Sequence, residues 1–203
     1  MVVCTGHSLA TPAPGQAPAA AAPVPQDPSE VSLRKADLPP GLAECPGSGE
    51  IGRYLQLLEV GGSPSYEVTD KQWLSLRDRG AQAGWVSSFS KDPADCDARL
   101  GERKGPSATS FAIRFAGPTQ AGDAFRSGFL NLRPAPGMTA PGLVQGTATK
   151  LGPESWTYDQ TDQTPNLWVA YWARQTFVLF VFAEHLTPMA ARLAVTGMDG
   201  RVR

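Results

Sequence analysis

Charged residues are scarce in this chain, and neither sign of charge dominates. Only 18% of its 203 residues are Asp, Glu, Lys or Arg, and the formal net charge at pH 7 is -1. No stretch carries the five or six like charges that mark a nucleic-acid-binding arm or a polybasic membrane patch. We therefore expect no nucleic-acid partner.

Long apolar runs are also missing. The longest unbroken run covers residues 177–183, whereas a membrane-spanning helix needs roughly 18 apolar residues. Only Met1, Val2 and Val3 precede Cys4, so neither the charged nor the apolar region of a signal peptide can be read there. We expect contact with a membrane only through a lipid anchor.

Catalytic and metal-binding side chains are few. The chain has two histidines, His7 near its start and His185, so a Ser-His-Asp arrangement in the globular part would depend on His185 alone. Its position between a predicted strand and a predicted helix is more typical of a surface or capping residue. No cluster of His, Cys and carboxylate residues has the spacing of a metal site. We expect no enzymatic activity, no metal and no cofactor.

Paired carboxylates are the remaining route to catalysis without histidine. Glu154, Asp159 and Asp162 lie close to Trp156 and Tyr158 in the sequence. A hydrolase of this kind needs two such side chains across an open cleft, whereas acidic residues beside strand ends and turns are usually solvated. A carboxylate-dependent envelope hydrolase therefore stays an alternative to a binding function.

Three cysteines are present, and they bear on the compartment of the protein. Cys45 and Cys96 lie in the globular part and Cys4 near the start. A Cys45–Cys96 disulfide would suit a domain exported to an oxidising environment. The alternative is two buried thiols in a reducing cytosol. The absence of a C-x-x-C motif and of metal-ligand spacing favours the disulfide.

Residues 1–36 have the composition of a flexible tether. Thirteen of the 19 residues from 10 to 28 are Ala or Pro, and such a segment forms an extended spacer rather than a core. We predict a disordered Ala/Pro-rich tether over residues 1–36 and one globular domain over residues 37–203. This layout resembles that of bacterial lipoproteins, and the resemblance implies that Cys4 is the lipidated residue and that the protein lies in the cell envelope.

Capping residues and hydrophobic periodicity predict mixed secondary structure. Ser48 is expected to cap a helix that ends at Gly61, and Asp70 to cap a second helix that ends at Gly80. Further helices are expected from Pro118 and, capped by Thr187, near the end of the chain. Strands are predicted near Trp85 and over residues 107–116, 143–149, 155–160, 167–173 and 177–183.

The last two predicted strands are apolar on both faces. Such strands lie at the centre of a sheet, and helices must cover both of its sides. We therefore predict an α+β fold in which a mostly antiparallel sheet of four to six strands is flanked by helices and joined by one disulfide.

Parts of this pattern resemble a group of small exported actinobacterial domains. The similarity is carried by Phe111-Ala-Ile-Arg-Phe115 followed by Ala121, Ala124 and Phe125, and by Leu151-Gly-Pro-Glu-Ser-Trp156 followed by residues 167–182. The chain is similar in this respect to PsbP-like lipoproteins and to the extracellular sensor domain of bacterial serine/threonine kinases. The resemblance implies a binding or accessory role.

Aromatic residues provide the candidate binding site. Many must form core, but an incompletely covered sheet face would turn them into the wall of an apolar groove next to the loop of residues 133–142. We expect the partner to be a small apolar ligand or an envelope protein, bound by a tethered sensor-type or accessory domain. A passive structural lipoprotein is the other alternative, and it predicts a filled sheet without a cavity. The aromatic candidates are Trp156, Tyr158, Trp168, Tyr171 and Trp172.

Overall fold

The computed structural model describes residues 25–128, 130 and 137–203. In these residues five helices surround an eight-stranded antiparallel sheet. The helices are α1 (Pro28–Val31), α2 (Ile51–Val60), α3 (Tyr66–Asp78), α4 (Pro118–Ser127) and α5 (Pro188–Asp199). The strands are β1 (Ala43–Glu44), β2 (Gly49–Glu50), β3 (Ala81–Ser90), β4 (Ser107–Phe115), β5 (Leu143–Gln145), β6 (Ser155–Gln160), β7 (Leu167–Arg174) and β8 (Phe177–Glu184). Short 3-10 helices cover Lys35–Asp37, Pro93–Cys96 and Gly146–Thr149.

The strands pair in the order β1, β3, β4, β8, β7, β6, β5, and β2 pairs with β3 beside β1. Every neighbouring pair is antiparallel. The predicted α+β fold class, with helices flanking the sheet, is confirmed. The described residues contain eight strands rather than four to six, and the two that were not predicted, β1 and β2, are only two residues long. Such short strands show no hydrophobic alternation.

The two faces of the sheet carry separate apolar cores, and β8 contributes to both. Strand β8 lies between β4 and β7, and all of its residues are buried. Leu179 and Val181 pack with residues of α1 and α5, on what we call the α5 face. Phe180 and Phe182 pack with residues of α2, α3 and α4, on what we call the α2 face. The predicted central position of the two doubly apolar strands is confirmed.

Helix α2 lies very close to the sheet. A Cβ atom at Gly84 of β3 would stand 3.1 Å from Cγ2 of Ile51, the first residue of α2, and 3.4 Å from the ring of Trp73 in α3. The missing side chain therefore lets both helices approach the strand, and their inner side chains are buried.

The folded part of the chain begins before residue 37, which corrects the predicted boundary. Val31 and Leu33 are fully buried in the core of the α5 face. The guanidinium of Arg201 also binds this segment, donating to the carboxylate of Asp37 at 2.7 Å and to the carbonyl oxygen of Ser32 at 2.8 Å. Buried apolar side chains and the hydrogen bonds from Arg201 therefore dock this segment onto the fold.

Several element boundaries differ from the sequence predictions. Helix α2 is preceded by Glu50 rather than capped by Ser48, and α3 begins at Tyr66, so Asp70 lies inside that helix. The predicted strand over residues 143–149 is a three-residue strand followed by a 3-10 helix. No helix among the described residues has the length and apolarity needed to cross a membrane.

Candidate functional site

Cys45 and Cys96 form the predicted disulfide. Their Cα atoms are 5.5 Å apart, and the two residues are 51 positions apart in the sequence. Cys45 follows β1, whereas Cys96 ends the 3-10 helix Pro93–Cys96. The bridge therefore joins two irregular segments that flank β3.

A pocket of about 760 Å³ lies between these bridged segments and the α2–α3 helix pair. Its floor is formed on the α2 face by Ser88 of β3, Phe111 of β4 and Phe182 of β8. Binding pockets for small molecules have volumes of about 300–1,000 Å³. We call this cavity the α2–α3 pocket, and its size is that of a small-molecule site.

The walls of the α2–α3 pocket are mainly apolar. Leu57 and Leu58 of α2 face Leu100 of the bridged segment, and Val68 of α3 contributes to the same lining. Leu57 and Val68 are 44% and 45% exposed. The apolar lining therefore continues from the interior of the pocket to its mouth.

Arg103 lies at the floor of the pocket although its side chain is only 4% exposed. Its Nη1 donates to Oγ1 of Thr109 at 2.9 Å, and its Nη2 donates to Oγ of Ser88 at 3.1 Å. Ser88 and Thr109 lie directly opposite each other on β3 and β4, and their hydroxyl oxygens are 3.0 Å apart. A polar pair on the sheet thus holds a buried cation at the floor of the pocket.

Glu184, the last residue of β8, is the counter-ion of Arg103. Its Oε2 lies 3.8 Å from Nε of Arg103. Its Oε1 accepts hydrogen bonds from the backbone N–H groups of Gly101 and Arg103 at 3.0 and 3.1 Å. Burial raises the pKa of Glu184 and lowers the pKa of Arg103, because an apolar environment disfavours both charged forms. The mutual attraction of the two groups offsets only part of this effect.

We expect the stability of the protein to depend on pH through Glu184. A carboxyl group whose pKa is raised in the folded state stabilises the fold when protonated, and this contribution is lost as the pH rises through the folded-state pKa. Relative to Glu184→Gln, the free energy of unfolding of the wild type should therefore fall as the pH rises from the ordinary carboxyl pKa of 4.5 towards neutrality. Urea unfolding of both proteins at a series of pH values measures this difference.

His185 is the next residue in the chain, so its own contribution needs a control. We would repeat the pH series with His185→Asn in both proteins. Residue 185 has a φ of 54°, and Asn tolerates this left-handed conformation better than most residues. The prediction is wrong if, in this background, the free energy of unfolding of the protein with Glu184 does not fall relative to that of Glu184→Gln as the pH rises.

The five aromatic residues predicted as a binding set do not share one surface. Trp156 and Tyr171 pack on the α2 face, with their ring centroids 5.9 Å apart, and half-buried Tyr158 packs against the same core. Trp168 and Trp172 lie in the core of the α5 face, where Nε1 of Trp172 donates to the carboxylate of Asp199 at 3.0 Å. The prediction that these five residues line one groove is therefore corrected. Four of the five rings are buried, and the set is divided between two cores.

A smaller depression of about 340 Å³ lies along residues 137–145. It is lined by residues such as Met138 and Leu143, and none of the five aromatic residues contributes to it. The predicted loop of residues 133–142 is described only from residue 137, so its first part lies outside the described residues. The depression gives no support to an aromatic groove at this loop.

The predicted carboxylate set is also separated. Glu154 pairs with Arg126 of α4, on the α2 face. Asp159 lies 3.7 Å from Arg192 of α5, which packs on the opposite face. Asp162 is exposed in the loop after β6. These acids do not provide the two carboxylates facing one cleft that a hydrolase needs.

His185 lies at the surface between β8 and α5, and Thr187 rather than His185 caps α5. It is exposed, and its Nε2 donates to the carbonyl oxygen of Arg103 at 2.9 Å. Across the described residues, no three His, Cys, Asp or Glu side chains gather in a way that could hold a metal ion. Cys4, the predicted lipidation site, lies outside the described residues.

Similarity of the chain to known proteins would be a second source of information on the pocket. No protein-family model matches the chain, and no curated protein matches it. The candidate site therefore depends on its own geometry, that is, on the cavity, its apolar walls and the buried cation at its floor.

The pocket residues were largely missed by sequence reasoning. Arg103 lies in a short polar loop, where nothing in the neighbouring residues distinguishes it from a solvated arginine. Glu184 offers a weak signal, because it continues the register of a strand that is apolar on both faces. A carboxylate in such a place must be buried, and a buried carboxylate requires a partner.

Proposed function

We propose that this protein is an extracytoplasmic binding domain that holds a small, largely apolar ligand in the α2–α3 pocket. The observation that carries the proposal is the cavity of about 760 Å³ and its lining. Leucine and phenylalanine side chains line it together with polar residues, of which Ser88 and Arg103 lie at the floor. A concave surface with apolar side chains and a small number of polar groups is typical of small-molecule sites.

The compartment in this proposal is supported by the disulfide between Cys45 and Cys96. Disulfides persist in oxidising environments such as the periplasm and the cell surface. We place the domain in the cell envelope as a sensor-type or accessory protein, held there by a lipid on Cys4 and by the Ala/Pro-rich tether. The tether would let the pocket reach ligands at some distance from the membrane.

The two alternative functions fit the geometry less well. A passive structural lipoprotein predicts a filled sheet, whereas the α2 face carries a large cavity. A hydrolase requires facing carboxylates, whereas Glu154 and Asp159 each pair with an arginine on a different face. The binding function is therefore the better interpretation.

We expect the neutral apolar dye Nile red to bind the full chain saturably, at one site per molecule, with a rise in its fluorescence. Ala98 lines the pocket between Cys96 and Leu100, so a tryptophan at this position would occupy ligand space. Ala98→Trp should lower the affinity at least tenfold. Fluorescence titration measures the dissociation constants of both proteins.

The matched control is Ala148→Trp, which adds the same ring on an exposed residue of the 3-10 helix Gly146–Thr149. This variant should bind the dye like the wild type. If the dye does not saturate, or if Ala98→Trp binds it as tightly as Ala148→Trp does, the α2–α3 pocket is not the binding site and the proposal is wrong.

A further inference from the structure

Arg103 has more hydrogen-bond donors than the protein around it uses. A guanidinium group carries five N–H donors, and the described residues accept hydrogen bonds from two of them, at Thr109 and Ser88. Its Nε has no hydrogen-bond partner among the described residues, since Oε2 of Glu184 lies 3.8 Å away. Donors left without acceptors are rare in buried side chains, because each one costs the free energy of its lost hydration.

The cation of this ion pair, and not its anion, contributes to the surface of the pocket. Arg103 is part of the lining together with Ser88 and Tyr54, whereas Glu184 is not. Oε1 of Glu184 is already held by two backbone N–H groups, and its Oε2, which has no hydrogen-bond partner among the described residues, lies 3.8 Å from Nε of Arg103. A ligand that reaches the floor therefore meets unused donors rather than unused acceptors.

The shape of the remaining surface indicates what the rest of the ligand looks like. From the floor, the lining runs along Phe111 and Phe182 to Leu58 and Leu100 and then to Leu57 at the mouth. These five side chains are apolar, and they form a path through a lining that elsewhere includes polar residues such as Thr69 and Asp97. One end of the ligand is thus expected to be rich in acceptor oxygens and the other end to be a hydrocarbon.

We propose that the ligand is an aliphatic amphiphile with a carboxylate headgroup, which Arg103 binds at the floor of the α2–α3 pocket. This inference rests on the proposed function. A carboxylate matches the planar fork of a guanidinium, and such charge-assisted hydrogen bonds are about twice as strong as neutral ones. The aliphatic chain would replace water along the leucine and phenylalanine walls and end at the exposed mouth beside Leu57 and Val68.

Three probes with one chain length and different headgroups test this proposal. Isothermal titration calorimetry at pH 7.5 on the full 203-residue chain would compare decanoate, 1-decanol and decyltrimethylammonium. Decanoate should bind with a dissociation constant at least tenfold lower than that of decanol. The cationic amphiphile should bind more weakly than decanol, because its head would meet the guanidinium.

Two variants separate Arg103 from a general attraction of anions. Arg103→Met combined with Glu184→Gln removes both charges of the pair without leaving one of them buried alone. It should keep decanol binding and lose the preference for decanoate. Arg99 is the matched control, because it also lines the pocket but its side chain is 47% exposed. Arg99→Gln should keep the preference.

The outcomes distinguish this inference from the proposed function. If decanoate and decanol bind equally well, the pocket binds apolar chains but Arg103 does not select the headgroup, and the inference alone is wrong. If Arg99→Gln abolishes the preference, the headgroup lies at the mouth and the inference is equally wrong. If none of the three probes binds, and Nile red does not bind either, the proposed function fails as well.

Discussion

Replacing Cys45 and Cys96 together by serine should lower the free energy of unfolding by about 4 kcal/mol. In the chain-entropy model this is the contribution of a bridge that closes a loop of about 50 residues in the unfolded state, and the two cysteines are 51 positions apart. Domains of this size are stable by only about 5–15 kcal/mol, so the loss is a large fraction of the total. Urea unfolding of the oxidised wild type and of the double variant measures it.

The same substitution should also weaken Nile red binding. Both cysteines line the α2–α3 pocket, and without the bridge the segment with Leu100 is no longer tied to the segment that follows β1. Cys4→Ser is the control, because it removes a thiol that takes no part in the bridge. The prediction is contradicted if the wild type and the double variant with Cys45→Ser and Cys96→Ser unfold at the same urea concentration. It is also contradicted if Cys4→Ser loses as much stability as the double variant.

The sheet could be predicted from the sequence because its main strands carry local signals. The predicted strand over residues 155–160 coincides with β6, and the two doubly apolar segments are the neighbouring strands β7 and β8. Period-two alternation, or apolar residues on both faces, is a property of a few consecutive residues. The start of α3 carries no such signal: Ser65, the residue before it, makes no side-chain capping hydrogen bond.

The separation of the aromatic residues was partly predictable. Trp168 and Tyr171 are an odd number of positions apart in one strand, so they must lie on opposite faces. The place of Trp156 was not predictable, because it depends on the register of β6 against β7. That register sets Trp156 opposite Tyr171 and therefore on the α2 face.

The α2–α3 pocket could not be predicted because its parts meet only in the folded chain. The floor combines Ser88, Phe111 and Phe182, which come from three strands, and the neighbouring position of β4 and β8 follows from a long-range pairing. The disulfide then brings residue 96 beside residue 45. No sequence window contains enough of these residues to indicate a cavity.

Removing Arg103 alone should cost more stability than removing both partners of the Arg103–Glu184 pair. Each side chain is almost completely buried, and loss of one partner leaves an uncompensated charge, which typically costs about 3–5 kcal/mol. Arg103→Met should show a loss of this size at pH 7.5, because it leaves the Glu184 carboxylate without its counter-ion. Glu184→Gln should lose less, because glutamine resembles the protonated carboxyl that burial favours. The double variant should lose clearly less than the sum of the two, since it buries no isolated charge. Urea unfolding of the four proteins gives the coupling free energy.

The exposed pair Arg99–Glu102 provides the matched cycle in the same loop. Its side chains are 47% and 63% exposed and its charged atoms are 3.6 Å apart, so its coupling free energy should be about 0.5 kcal/mol or less. Additive losses at Arg103 and Glu184 would mean that water reaches the pair and that the floor of the pocket is not a desolvated site. A large coupling would instead show that the pair is desolvated and that Glu184 balances the charge of Arg103 at the floor of the pocket.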